Sequence, residues 1–140
     1  MKVVVLLAIV AGLCVAVQTN LTAAAQRSLG APVLVAISGL CTSLTALVIA
    51  LPFARPDFSG RAVGYAAASG VLGAVIVGAI AIAASQGGVA RALSLVIASQ
   101  LVFGLLLDTL GVFGGGPDVG LLKVVGVALI IAGGVLVVRF

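Results

Sequence analysis

The chain has 140 residues, of which 64% are hydrophobic and only 7% charged, with a mean hydropathy of +1.48. Soluble domains give about a quarter of their residues to charge, so this composition excludes an ordinary soluble domain and places the chain in the membrane class. The net charge of +4 comes with no basic run and no aromatic platform, and histidine is absent; it reads as anchoring at lipid headgroups, with no nucleic acid, no metal and no cofactor implied.

The charges stand almost entirely between apolar runs. In order they are Lys2, Arg27, Arg55, Asp57, Arg61, Arg91, Asp108, Asp118, Lys123 and Arg139. A helix needs roughly 20 mostly apolar residues to cross the hydrocarbon core, and the runs are continuous rather than alternating, which favours helices over a barrel. The expected fold is an all-α integral membrane protein, one transmembrane domain over residues 1–140 with five spans.

Span one covers about 3–25. It could pass for a secretory signal, but no clean small-x-small cleavage site follows and similar runs come after it. Gly30 and Pro32 mark a turn, and span two covers about 32–53. Pro52 and Pro56, with Arg55, Asp57 and Arg61, form the most polar connection. Span three covers about 62–84 and ends at Gly87-Gly88. Span four covers about 90–110. A flexible loop from Gly111 to Asp118 leads to span five, about 120–138, where Lys123 can snorkel to the surface. Cys14 and Cys41 lie inside apolar runs and read as small packing residues.

Small residues recur every four positions in span three: Ala62, Ala66, Gly70, Ala74 and Gly78. Such a stripe lets helices approach closely where lipid supplies no hydrophobic drive. Gly126 and Gly133, seven apart, suggest the same in span five.

Five spans put the termini on opposite sides. One side then carries Lys2, Arg55, Arg61 and Lys123, and the other Arg27, Arg91 and Arg139. Basic bias sets orientation, and four against three is almost none. One reading is insertion both ways up, with two copies pairing as an antiparallel dimer, a ten-helix inverted-repeat assembly. The other is a single orientation with a paralogous five-span partner of opposite bias.

Polar groups at membrane depth are costly and so mark candidate sites. In span one, Gln18 and Asn20 lie about 200° apart on a helix, one face able to line a cavity and the other to meet a neighbour; interhelical hydrogen bonding of both is the alternative. In span four, Gln100 is the deepest strongly polar side chain, and Ser94, Leu101 and Asp108 follow at seven-residue steps. Gln18, Asn20, Ser94 and Gln100 are therefore the candidate substrate pathway. Asp108, the acid within a span, is the candidate for ion coupling, or else a helix-end residue paired with a nearby cation or backbone group. Neither a carboxylate pair nor a Ser–His arrangement nor a phosphate loop is visible, so an enzyme is not expected.

Gln18-Thr-Asn20-Leu21 followed by Leu29-Gly30-Ala-Pro32 resembles the start of the YdcZ family of the drug/metabolite transporter superfamily. Ser99-Gln100-Leu101, Leu105-Leu-Leu-Asp108 and Leu110-Gly111 are similar to that family's Gly-Gln-Leu and Asp-x-x-Gly signature in the fourth span, with Ser99 in place of Gly. Gly126 and Ala132-Gly133-Gly134 also fit, so the resemblance covers nearly the whole chain. It implies a five-span half-transporter of the bacterial inner membrane, surrounded by lipid and paired with itself or a paralogue. The superfamily's small multidrug resistance branch uses a membrane-embedded Glu in its first span for proton-coupled cation export. This chain contains no Glu and so lacks the residue that mechanism uses.

The function expected is a small secondary transporter, or half of one, moving a small neutral or amphiphilic solute by alternating access. A passive channel, which would show single-channel currents, and a non-transporting assembly or lipid-binding subunit, which would show no cavity, are the alternatives.

Overall fold

The computed structural model describes residues 1–50, 52, 58–111 and 120–140. Five helices run through it: α1 (Lys2–Leu29), α2 (Ala31–Ala50), α3 (Gly60–Gly87), α4 (Val89–Thr109) and α5 (Leu121–Arg139). Each is long and apolar enough to cross a membrane, and no strand occurs among the described residues. At 1.5 Å per residue α1 and α3 are about 42 Å long, enough to cross the headgroup layers as well as the hydrocarbon core. The other three are about 30 Å and match the core alone.

The helix ends explain where these bounds depart from the expected spans. A single residue, Gly30, separates α1 from α2. Its N–H donates to Gln26 O at 3.0 Å and its carbonyl accepts from Leu34 N at 3.1 Å, so it closes one helix and opens the next. Its φ of +71° with ψ of 157° lies in a region open essentially only to glycine. Gly88, at φ +87° and ψ 149°, opens α4 from the same glycine-only region, accepting from Ala92 N at 3.1 Å. The upstream helices therefore continue to the junction residues, past the expected ends at 25 and 84. At the start of α3, Ser59 Oγ accepts from Ala62 N at 3.3 Å, an N-cap that brings the helix forward to Gly60. The polar connection at Arg55, Pro56 and Asp57, Phe53 at the end of span two, and the loop residues from Val112 to Asp118 lie outside the described residues.

Replacing Gly30 or Gly88 by alanine forces a side chain into that glycine-only region and should lower unfolding stability by about 1–3 kcal/mol each. Gly12, helical and with open space around its Cβ position, is the control, and its alanine variant should be neutral or slightly more stable. Denaturant unfolding in mixed micelles reads the difference.

The chain divides into two compact units, Met1–Gln86 and Gly87–Phe140. In the first, the buried positions are Thr19, Thr22 and Ala23 of α1, Leu34 of α2, and Gly78, Ala81 and Ala84 of α3. Large aliphatic side chains such as Leu6, Leu40 and Leu72 stand outward. This inverts the soluble pattern, as expected where lipid solvates the aliphatic side chains and small residues let backbones approach. A Cβ built on Gly78 would stand 3.4 Å from Val35 Cγ2, so α3 meets α2 there.

In the second unit α4 packs along α5. The close approach is at Gly134, where an added Cβ would stand 3.5 Å from the Ser94 carbonyl oxygen. Gly126 and Gly133 have no atom within 4 Å of a Cβ position outside their own helix. The glycine against α4 is thus one residue, or about 100° of helix, on from Gly133. In the span-three stripe, Ala62, Ala66, Gly70 and Ala74 are exposed and Gly78 is buried.

Candidate functional site

The middle of the first unit holds a cavity of about 420 Å³. Gln18 of α1 reaches it from less than one turn past that helix's midpoint. Val35, Ser38, Gly39, Thr42 and Ser43 line it from the central stretch of α2. Gly70, Gly73, Ala74 and Val77 line it from the centre of α3. The helix midpoints coincide with the cavity, so in a bilayer it sits near the midplane. Its volume falls at the lower end of the ~300–1,000 Å³ usual for small-molecule sites.

Polar chemistry enters this cavity in neutral form. Thr42 Oγ1 donates to Ser38 O at 2.9 Å and Ser43 Oγ donates to Gly39 O at 2.9 Å. These bonds to carbonyls one turn back satisfy the hydroxyl hydrogens within the helix and leave the oxygen lone pairs free to accept. Gly39, Gly70 and Gly73 have no neighbour within 4 Å of a Cβ position. Backbone replaces side chain at those points, which keeps the space open. Among the described residues no charged side chain lines the cavity.

Along the same face of α2 a second, more open cavity of about 460 Å³ is lined by Ser38, Cys41, Thr42, Thr45, Ala46 and Ile49. Thr45 Oγ1 again donates one turn back, to Cys41 O at 2.8 Å. Ser38, Cys41, Thr42 and Thr45 are spaced i, i+3, i+4, i+7, so one helix face carries them all. These α2 residues are absent from the sequence-derived pathway, although their spacing in an otherwise apolar helix was a readable signal.

Gln18 and Asn20 separate as their 200° offset requires. Asn20 does not line the central cavity; its Nδ2 donates to Ala16 O at 3.0 Å. Gln26, one turn before the Gly30 junction, carries a buried amide oxygen that accepts no hydrogen bond among the described residues.

In the second unit a cavity of about 280 Å³ is lined by Gln100, Leu101, Gly104, Leu105 and Asp108 of α4 with Lys123 and Val127 of α5. Gln100 is at the middle of α4, and Asp108 and Lys123 are at helix ends. The Asp108 carbonyl accepts from Gly111 N at 3.2 Å as α4 closes. An acid in a last turn and a base in a first turn each oppose the helix dipole, and sharing one small cavity gives each an opposite charge nearby. Ser94 does not line this cavity: its hydroxyl donates to Arg91 O at 2.9 Å and its backbone faces Gly134. Among the described residues no cluster of His, Cys, Asp or Glu could hold a metal ion, and Cys14 and Cys41 are free thiols.

No curated protein and no solved structure matches the chain. One family does, described as "Putative inner membrane exporter, YdcZ", and the match runs over residues 3–136. With five apolar helices of spanning length under a match of that extent, the chain is a multi-pass inner-membrane protein belonging to the YdcZ family.

Proposed function

We propose that the protein is a small secondary transporter, or half of one, carrying a small neutral or amphiphilic solute by alternating access as an antiparallel dimer. The observation that carries this reading is the mid-membrane cavity between α1, α2 and α3, with Gln18 and the α2 hydroxyls on its wall and no charged side chain there among the described residues. A path for solute needs polar groups at a depth where lipid offers none, and there such groups are otherwise costly. Gln100 offers a second polar point in the middle of α4, with Asp108 as the group available for ion coupling near the end of that helix. Membership of an exporter family supports the transporter class, and the nearly balanced basic residues support insertion both ways up.

Two measurements test it. Uptake into proteoliposomes holding the purified chain, against protein-free vesicles, tests transport, and Gln18→Leu should reduce it by about tenfold, the equivalent of one lost hydrogen-bonding partner. Reporter fusions to the C-terminus, one active only in the cytoplasm and one only outside, should both be active; activity on one side alone would remove the antiparallel homodimer.

A further inference from the structure

We propose that the cavity between α1, α2 and α3 selects a neutral solute that presents O–H donors, a small polyol or alkyl diol. This rests on the transporter reading and specifies its substrate class. The basis is the direction of the hydrogen bonds. The hydrogens of Thr42 and Ser43 are committed to the carbonyls of Ser38 and Gly39, each at 2.9 Å. Toward the cavity both hydroxyls are therefore acceptors only. Gln18 adds an amide with one acceptor oxygen and two N–H donors, and the Ser38 hydroxyl can donate or accept. Thr42 and Ser43 can be paired only by a solute that brings the hydrogens.

Charge narrows the class further. Among the described residues the wall carries neither a carboxylate nor an aromatic face, so none of them replaces a cation's hydration. None of them on the wall is a Lys or Arg, so none serves an anion either. Apart from Gln18 and the hydroxyls of Ser38, Thr42 and Ser43 the lining is aliphatic or bare backbone, and the open glycine positions at Gly39 and Gly73 admit a compact carbon skeleton. An ether of the same shape has acceptors only and would leave the oxygens of Thr42 and Ser43 unpaired, which costs binding even where Gln18 or Ser38 donates to the ether.

The test uses proteoliposomes of the full chain and radiolabelled erythritol. Uptake should exceed that of protein-free vesicles. 1,2-Hexanediol should compete, its dimethyl ether should compete at least about tenfold less well, and tetramethylammonium should not compete. Replacing Thr42 by Val together with Ser43 by Ala removes both acceptors and should abolish the preference for diol over ether. Thr42→Ser with Ser43→Thr keeps both hydroxyls and should retain it, which separates loss of recognition from loss of folding. Equal competition by diol and ether, or an undiminished preference in the Val/Ala variant, would overturn the assignment. Transport of tetramethylammonium without erythritol would also overturn it while leaving the transporter reading intact. Transport of neither would overturn both.

Discussion

Gly73→Leu should nearly abolish transport while leaving the helices intact. Gly73 lies at the centre of α3 and lines the mid-membrane cavity, with nothing within 4 Å of the position its Cβ would take. A Cβ there meets no neighbour, and leucine is the better helix former by roughly 0.8 kcal/mol. Its side chain instead occupies the space a solute needs. Forcing extra methylenes into filled space costs about 1–3 kcal/mol, and at the upper end that is about a hundredfold in apparent affinity. Flux in proteoliposomes should fall accordingly while the helical circular dichroism and unfolding midpoint stay at or above those of the parent. A variant that transports normally would mean that the cavity is not on the solute's path.

Gly134→Leu should destabilise the second unit, and Gly133→Leu should not. The two glycines are adjacent in the same helix and gain the same helix propensity on substitution, so that term cancels in the comparison. At Gly134 a Cβ is already in van der Waals contact with the Ser94 carbonyl at 3.5 Å, leaving room for an alanine and none for the rest of a leucine. α4 and α5 must then separate, at a cost of about 1–3 kcal/mol. At Gly133 no neighbour lies within 4 Å of the Cβ position, and the effect should stay within about 0.5 kcal/mol. Unfolding of both variants in mixed micelles gives the contrast directly. If Gly133→Leu is the more damaging of the two, Gly133 faces a partner chain.

The spans were legible because lipid demands long uncharged helices whatever their neighbours, and an apolar run between charges is enough to locate one. Helix ends were less so: whether Gly30 alone or a longer segment makes the turn depends on one residue taking φ +71°, which composition does not reveal. Gln18 and Asn20 were separable by helical geometry alone. Thr42 and Ser43 are hard to recognise from sequence because hydroxyls in membrane helices are commonly satisfied by their own backbone, as these are. A satisfied hydroxyl still accepts, and only the apposition of α1, α2 and α3 shows that it faces a cavity. In span five the seven-residue spacing points to Gly126 and Gly133, whereas the contact with Ser94 falls at Gly134, a shift of one residue that spacing alone does not reveal.

The local hydrogen bonds of the first unit have a mechanical side. Thr19, Asn20, Thr22, Thr42, Ser43 and Thr45 all donate to carbonyls three or four residues back in their own helix. Those bonds travel with the helix when it moves. Shear of α2 against α1 or α3 leaves each of them intact, and the resistance it meets is the many shallow atom-pair contacts of small side chains, about 0.1–0.2 kcal/mol apiece. None of these six bonds has to break for α2 to slide, so they set no latch on that movement.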